Sequence, residues 1–416
     1  MIESKEGYKK SEIGLIPNEW EVVKLSEICK FKQGVQIPLE EQLTIKLSNN
    51  TRFIRISDYT QKTDDIRYVS KNYSDYMISK DDVVMVRYGE SAGFIGTNLS
   101  GILANNLFTI NPNEKINKKY LYTYMNNEKI YKYLKNLRTT GAIPAVNFKS
   151  LNIIKIPLPP LKEQKKIADI LSTTDSKIDS ITLQIEKAER LKKGLLQKLL
   201  SEGIGHNRFK NSELGKIPQS WKVVKLKDCS KLIKDGTHGT HKNIENGIPL
   251  LSAKDIQDGK ILLNIDSRKI SIDDFNKIHK NYSLIDNDLL LTVVGTLGRV
   301  ALVKNYNNNY TFQRSVAIIR LIDMNYPKYF YHVFNSLFFQ KQLILHSNAS
   351  AQAGIYLGEL EKLKIPLPAL QEQKEIADIL STADEKIEIL KAKKQKYETL
   401  KKGLLQKLLS GEIRVV

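Results

Sequence analysis

Two stretches of the chain carry mostly apolar residues at alternating steps of four and three, the spacing of a coiled-coil seam. The first seam consists of Ile167, Leu171, Thr174, Ile178, Ile181, Ile185 and Ala188. The second consists of Ile376, Leu380, Ala383, Ile387, Leu390, Tyr397, Leu404 and Leu408, with an interruption at Lys394. Because proline is tolerated only before or within the first turn of a helix, Pro157, Pro159 and Pro160 predict an extended approach and a helix start near Lys162. The matching seams predict two long helices that pack on each other.

Length gives the first helix a possible structural role. The seam over residues 167–199 corresponds to a rod of roughly 48 Å at about 1.5 Å per residue, long enough to hold two parts of a protein at a set distance. The alternative is an ordinary amphipathic helix that packs on its own domain. Gly194 and Gly403 stand at matching places in the two helices, where glycine costs about 1 kcal/mol relative to alanine. We expect either a close approach of the helices or a fraying helix end there.

Elsewhere the pattern changes to short apolar or alternating runs between Gly, Asn and Asp, which is typical of strands and turns. These runs lie over residues 51–59, 81–89, 105–112, 247–256, 286–303 and 314–322. One amphipathic helix is predicted over residues 119–137 and another over residues 327–344. Each of the two parts that contain these runs is therefore predicted to be an α+β domain.

The chain also repeats itself. SEIGLIPNEWEVVKL at residues 11–25 returns as SELGKIPQSWKVVKL at residues 212–226. LNIIKIPLPPLKEQKKIADILSTTDSKI begins at Leu151 and returns as LEKLKIPLPALQEQKEIADILSTADEKI at Leu360, and LKKGLLQKLLS occurs twice. The middles, roughly residues 26–150 and 227–359, have diverged. The sequence therefore predicts two units that share a frame and differ in what the frame carries.

Composition bears on the partner. The 416 residues suffice for two or three domains, and 65 Lys and Arg against 46 Asp and Glu give a net charge of +19. This excess favours an extended acidic partner such as nucleic acid, although a membrane surface fits the charge alone. Two cysteines exclude a disulfide framework and fit a reducing compartment. Without a signal peptide or an apolar run of about eighteen residues, we expect a cytoplasmic protein with no membrane partner.

The repeated segments resemble a known family. The IPLPPLKEQKKIADIL and IPLPALQEQKEIADIL strings, the LKKGLLQKLL ends and the IPxxWxVVKL openings are similar to the repeated regions of the specificity subunit of Type I restriction-modification enzymes. KDGTHGTH from Lys234, GTLGRVALV from Gly295 and AGIYLGELEKLKIPLP from Ala353 resemble its recognition domains. The first unit has FKQGVQIP near Phe31 where the second has KDGTHGTH, so residue roles are not carried from one unit to the other.

The resemblance implies an α+β fold with two tandem target recognition domains, separated by the two repeated helices as an antiparallel coiled coil with a pseudo-two-fold axis. We expect the recognition domains over residues 1–156 and 205–365, and the helices over residues 157–204 and 366–416. Each domain is expected to read half of a bipartite, asymmetric target in double-stranded DNA. The coiled coil is expected to set the spacer and to dock the modification subunits.

The resemblance further implies a subunit that is not itself an enzyme and needs no cofactor. Two modification subunits would use S-adenosylmethionine to methylate adenine, and restriction subunits would use ATP and Mg²⁺ for translocation and cleavage. In agreement, the sequence has no GxxxxGK[ST] loop, no [ND]PP[YF] motif and no histidine-rich metal spacing. Two alternatives stay open, namely a DNA methyltransferase with unrecognised internal catalysis and a coiled-coil adaptor that binds only protein.

Several polar residues at turns and strand ends are candidates for DNA contacts. In the second unit, glycines in KDGTHGTH allow close backbone approach, and arginine pairs well with guanine edges. The candidates there are Lys234, Thr237, His238, Thr240, His241, Arg299 and Arg314. In the first unit they are Arg55, Ser57, Tyr59, Arg87, Tyr88, Thr139 and Thr140. The alternatives are solvated turns and ordinary surface or phosphate contacts.

Two pairs of equivalent residues are assigned to the core instead. Trp20 and Trp221 could stack on a base or fill a core, and we expect the core. Cys29 and Cys229 are expected to be small buried hydrophobic residues without a redox role.

Overall fold

A computed structural model describes residues 6–61, 64–136, 144–264, 266–280, 282–348 and 354–415. Internal contacts divide the chain into two compact units. Unit 1 comprises Met1–Thr182 together with Lys393–Val416, and unit 2 comprises Leu183–Ala392. The two long helices that the seams predict are Leu161–Glu202 and Leu370–Leu409, with 42 and 40 residues, and each contributes residues to both units. They are called the first and second repeated helix below.

Unit 1 is built on two four-stranded sheets. The first is antiparallel, in the order Cys29–Gln33, Leu107–Pro112, Val83–Val86 and Ile95–Gly96. The second has the order Arg67–Ser70, Asn50–Ile54, Gly101–Leu103 and Met77–Ile78, with a parallel pair at its centre. Two-stranded pairings join Tyr8–Ser11 to Gly14–Pro17 and Glu21–Lys24 to Lys155–Leu158. The shorter helices are Leu25–Ile28, Leu39–Glu41, Ile56–Thr60, Lys71–Tyr76, Lys118–Met125, Glu128–Asn136 and Phe148–Asn152.

Unit 2 follows the same plan. Its antiparallel sheet has the order Ser230–Asp235, Val316–Leu321, Leu289–Thr292 and Val300–Leu302. A second sheet has the order Lys269–Ile270, Ile248–Leu251 and Thr311–Phe312. Two-stranded pairings join Phe209–Ser212 to Gly215–Pro218, Lys222–Lys225 to Lys364–Leu367, and Ile256–Gln257 to Lys260–Ile261. The shorter helices are Leu226–Cys229, Ala253–Asp255, Ile272–His279, Pro327–Phe334, Leu337–Leu345 and Leu357–Leu360.

The α+β prediction is confirmed, but the two amphipathic helices are each broken in two. The first breaks at Asn126 and Asn127, and the side chain of Asn127 accepts a hydrogen bond from Ile130 N at 3.0 Å. The second breaks at Asn335 and Ser336, and Ser336 accepts from Phe339 N. The prediction of a single helix in each stretch was therefore wrong. A short polar side chain accepts a hydrogen bond from a backbone N–H group and so starts a new helix.

The seams are buried within each unit. In unit 1, Ile167 and Leu171 share a core with Leu408 and the partly buried Leu404. In unit 2, Leu199 and Leu200 share a core with Ile376, Ala377 and Leu380. Ion pairs join Lys192 to Asp384 and Lys391 to Glu189 in unit 2, so the helix segments there run antiparallel. Packing of the two repeated helices is confirmed.

A buried junction attaches each domain to the start of a repeated helix. Trp20 and Trp221 have no exposed surface, which confirms the core assignment. Trp20 Nε1 donates to Glu163 Oε2 at 2.9 Å, and Trp221 Nε1 donates to Glu372 Oε2 at 3.0 Å. Both glutamates lie in the first turn of their helix, where a negative charge is stabilised by the helix dipole.

The residue after each glutamate completes the junction. Gln164 donates to Pro159 O at 2.8 Å and accepts from Asn117 N at 2.8 Å. In unit 2 the matching glutamine makes the matching bonds, and a tyrosine hydroxyl in each unit closes the proline turn. These bonds are Gln373 Nε2 to Pro368 O (3.0 Å), Tyr326 N to Gln373 Oε1 (2.9 Å), Tyr120 OH to Pro157 O (2.8 Å) and Tyr329 OH to Pro366 O (2.8 Å). The repeated Glu–Gln dipeptide therefore makes the same hydrogen bonds in both units, to the buried tryptophan and to the proline turn.

Cys29 and Cys229 are buried, as expected. Burial raises the pKa of each thiol to about 12, so both stay protonated at neutral pH.

The helix glycines contradict the expectation of close approach. A Cβ placed on Gly194 or Gly403 would meet no atom within 4 Å. We predict that Gly194→Ala and Gly403→Ala each stabilise the chain by about 1 kcal/mol, because alanine has the higher helix propensity. Differential scanning calorimetry measures this as a higher melting temperature. Gly236→Ala is the contrasting control, since its Cβ would lie 2.1 Å from Phe312 O, and it should lower the melting temperature. A lower melting temperature for both helix variants would contradict the prediction.

The junction of unit 1 carries an additional ion pair that makes its stability depend on pH. Arg414 donates to Glu163 Oε1 at 2.7 Å and to Glu19 at 2.6 Å. Burial opposes ionisation of Glu163, but the hydrogen bonds from Arg414 and Trp20 outweigh it and hold the pKa of that carboxyl below its usual range. A lowered carboxyl pKa adds stability above the unfolded-state pKa of about 4.3, and the gain is lost as the pH falls through the lower folded-state pKa.

We therefore predict that Arg414→Ala destabilises unit 1 at pH 7 by about 2 kcal/mol, less than for a fully buried pair because a quarter of Arg414 is exposed. The difference from the unmodified chain should shrink as the pH falls below the unfolded-state pKa of about 4.3 and through the lower folded-state pKa of Glu163. Thermal unfolding between pH 3 and pH 7 measures both effects. Lys407→Ala, which removes an exposed ion pair with Glu412, is the control and should change little. A destabilisation that is the same at every pH would refute the ion-pair explanation.

Candidate nucleic-acid interface

Each unit has a glycine-containing loop after the first strand of its four-stranded antiparallel sheet. We use the name glycine loop 1 for residues 33–37 and glycine loop 2 for residues 235–239. In each loop the amide N–H groups of the glycine and of the next residue donate to neighbouring backbone carbonyls, and the carbonyl of that next residue accepts a bond in return. The matched bonds are Gly34 N to Leu107 O (3.0 Å) with Gly236 N to Val316 O (3.0 Å), Val35 N to Leu103 O (2.8 Å) with Thr237 N to Phe312 O (2.9 Å), and Asn105 N to Val35 O (2.9 Å) with Arg314 N to Thr237 O (3.0 Å). FKQGVQIP and KDGTHGTH are therefore structurally equivalent although their residues differ.

Glycine is required in both loops for the same reason. A Cβ on Gly34 would lie 2.3 Å from Ala104 O, and a Cβ on Gly236 would lie 2.1 Å from Phe312 O. The close packing of the glycine against the adjacent strand fixes the position of the side chains that follow it.

Glycine loop 2 and the residues on either side of it include several of the predicted contacts. His238 is exposed, and its Nε2 lies 2.6 Å from Asp235 Oδ2. Thr237 Oγ1 lies 2.9 Å from His241 Nε2. Lys234 lies 4.9 Å from the ring centre of Tyr282, and burial raises the pKa of Tyr282 to about 12, so the phenol is neutral there. Thr240 follows the loop directly and is exposed.

The two predicted arginines of unit 2 differ in their surroundings. Arg314 is exposed beside Thr237, and within the described ranges its guanidinium makes no hydrogen bond or ion pair. Arg299 is half-buried, and its NH1 group donates to the carbonyl oxygens of Ala253 and Ile256 at 3.3 and 3.2 Å. Arg314 is thus available to a ligand, whereas Arg299 holds a neighbouring turn.

In unit 1 the predicted residues Arg55, Ser57 and Tyr59 lie on or beside the short helix Ile56–Thr60 rather than on a strand. Arg55 pairs with Asp65 at 3.1 Å. The ring of Tyr59 packs against Gly96, and burial raises the pKa of its hydroxyl. Arg55 and Tyr59 are therefore tied into the domain, and Ser57 lies between them on the same short helix.

Arg87 and Tyr88 lie next to glycine loop 1. The Arg87 guanidinium is 4.9 Å from the ring centres of both Tyr88 and Phe148, and its NH1 group donates to Gln33 Oε1. Arg87 Nε is buried with no partner in the described part of the chain. Thr139 and Thr140 lie outside the described residues.

The sequence did not single out the side chains that glycine loop 1 presents. Gln33 Nε2 donates to Asn105 O at 2.6 Å, and Asn105 Nδ2 donates to Gln36 Oε1 at 3.1 Å. Gln36 and Asn105 occupy the positions of His238 and Arg314. The available signal was the glycine shared by KQG and KDG, which is weak because the flanking residues do not match.

Neither a metal site nor a membrane span is found in the part of the chain that the structure describes. No three or more His, Cys, Asp or Glu residues are grouped to hold a metal ion there. None of the described helices has both the length and the apolarity needed to cross a bilayer.

Known proteins resemble the chain over nearly its whole length. The family described as "Type I restriction modification DNA specificity domain" matches residues 17–190 and 218–399. The Type I restriction enzyme MjaVIII specificity subunit of Methanocaldococcus jannaschii is 30% identical, over 99% of this chain and 97% of the relative. The EcoBI specificity subunit of Escherichia coli is 25% identical, over 96% and 87%.

A solved structure shares the fold. The crystal structure of the Type I restriction-modification S subunit from M. genitalium has a TM-score of 0.60 and 16% identity, and covers 94% of this chain and 96% of its own. The family model matches once in each repeat, and the relative and the solved structure each cover nearly the whole chain. The chain belongs to the family of Type I restriction-modification DNA specificity subunits.

Proposed function

We propose that this chain is the DNA-recognition subunit of a Type I restriction-modification complex and that each unit reads one half of a bipartite target. The recognition domains are assigned to residues 1–156 and 205–365. The repeated helices at residues 157–204 and 366–416 set the spacer between the half-sites. Catalysis belongs to partner subunits.

One observation carries this proposal. The junctions and the backbone of the glycine loops are the same in both units, whereas the loop side chains differ. In unit 1 these side chains are Gln33, Gln36 and Asn105, and in unit 2 they are Asp235, His238 and Arg314. Different hydrogen-bonding groups on one backbone would select different bases, because each base pair has its own donor and acceptor pattern in the major groove.

The partners follow from the family and the charge. A net charge of +19 supports binding to the DNA backbone, which gives affinity but no sequence information. Modification subunits are the partners that supply methylation. We further propose two modification subunits, one for each unit, and restriction subunits that join the same complex.

The candidate contacts differ in how the fold supports them. Exposure supports His238, Thr240 and Arg314 as groove contacts, and position supports the half-buried Thr237, with Lys234 and His241 beside them. In unit 1, Arg87 adjoins glycine loop 1, and Tyr88 packs on Arg87. Arg55, Tyr59 and Arg299 are proposed as supports for the interface, since their surroundings within the domain engage them, and Ser57 lies on the same short helix as Tyr59.

The two alternatives receive no support from the relatives. The relatives reported above are named specificity subunits, and neither name is that of a methyltransferase or an adaptor.

Genome-wide mapping of methylated adenine tests the proposal. The chain is expressed in a methylation-free host with and without its cognate modification subunit. We expect a bipartite motif with one methylated adenine on each strand, and only when both proteins are present. Methylation by the chain alone would instead reveal an internal catalytic site. No methylation by a complex that assembles would favour the adaptor.

A further inference from the structure

Gln36 and Asn105 form a pair of amides at the exposed edge of glycine loop 1. Asn105 Nδ2 donates to Gln36 Oε1 at 3.1 Å, and the contact is exposed to solvent. Gln33 supports the pair: its Oε1 accepts a hydrogen bond from Arg87, and its Nε2 donates to Asn105 O. The backbone of Asn105 is fixed by its bond to Val35 O. The Asn105 backbone is thus held by Gln33 and Val35, while the side-chain pair stays exposed to solvent.

The mutual hydrogen bond uses one donor group and one acceptor of the pair. Asn105 Oδ1 and Gln36 Nε2 have no other partner within the described ranges. The pair therefore presents one free carbonyl oxygen, Asn105 Oδ1, and one free amino group, Gln36 Nε2, besides the second N–H of Asn105 and the second lone pair of Gln36 Oε1. Reversing both amides exchanges the two roles but still leaves one free carbonyl oxygen and one free amino group.

Adenine is the base with the complementary major-groove edge. Its N6 amino group is a donor and its N7 is an acceptor, whereas guanine presents two acceptors, cytosine a donor, and thymine an acceptor with a methyl group. A single Asn or Gln commonly reads adenine by this pattern. Here the acceptor and the donor come from two side chains that are already bonded to each other.

Unit 2 provides the contrast at the same position. Arg314 replaces Asn105 in the matched backbone bond, and His238 replaces Gln36. A guanidinium presents donors only, which suit the two acceptors of guanine. The neutral amides of unit 1 are therefore a specific feature of that unit.

Resting on the proposed function, we infer that Gln36 and Asn105 together read the major-groove edge of an adenine in the half-site of unit 1. Gln33 and Arg87 act as positioning residues for this pair.

Methylation maps of variant complexes locate the base. Gln36→Ala and Asn105→Ala, each assembled with the modification subunit, should lose adenine preference at the same single position of one half-site. Discrimination there should fall about ten- to hundredfold. Arg314→Ala should change only the other half-site. Asn72→Ala, which removes an exposed amide elsewhere in unit 1, should leave both half-sites unchanged.

Base analogues at that position then identify the contacts. Duplexes carrying 7-deazaadenine, which lacks the N7 acceptor, and purine, which lacks the N6 amino group, are titrated with the assembled complexes. Each analogue should weaken binding by the unmodified complex, and each should leave one of the two alanine variants unaffected, since that variant has already lost the matching contact.

Two results would overturn the inference. One is unchanged adenine preference at every position in both alanine variants. The other is a change confined to the half-site that Arg314→Ala alters. If the unmodified complex has no sequence preference, the proposed function fails, and this inference fails with it.

Discussion

The buried hydrogen bond from a tryptophan to a glutamate at the start of each repeated helix is the interaction on which the other features depend. The indole of Trp20 or Trp221 is fully buried, so its N–H group must find an acceptor inside the protein. The acceptor is a carboxylate in the first helical turn, Glu163 or Glu372. One hydrogen bond therefore joins the start of each domain, just after its first pair of strands, to the repeated helix that follows the domain.

This junction explains how the middles can diverge while the ends do not. The opening strand, the proline turn and the EQ dipeptide form one packed and hydrogen-bonded group in each unit. A change in any of them would leave a buried polar group unpaired, which costs about 1–3 kcal/mol. Exposed residues such as Gln36 or His238 carry no such constraint. Selection for a new DNA target can therefore change the side chains of the glycine loops while the junction stays intact.

The sequence predicted the features that depend on local patterns. Ile167, Leu171 and Ile376 were found by their spacing, and the tryptophans by their place in the repeat. The helix breaks at Asn127 and Ser336 were missed because capping by a single side chain outweighs a continuous amphipathic pattern. The sequence placed FKQGVQIP where the second unit has KDGTHGTH, but the shared backbone of Gly34 and Gly236 was missed because it rests on backbone bonds between residues distant in sequence. The ties of Arg55 and Arg299 to their own domain depend on tertiary structure in the same way.

The central claim is that each unit reads its half-site independently on a shared frame. The most direct test replaces residues 227–359 with a second copy of residues 26–150 and maps methylated adenine in the presence of the modification subunit. Two copies of one reading surface on a repeated frame should recognise two copies of one half-site in inverted orientation. The account predicts an inverted repeat of the first half-site. A motif that keeps the second half-site, or that contains the first half-site only once, would contradict it.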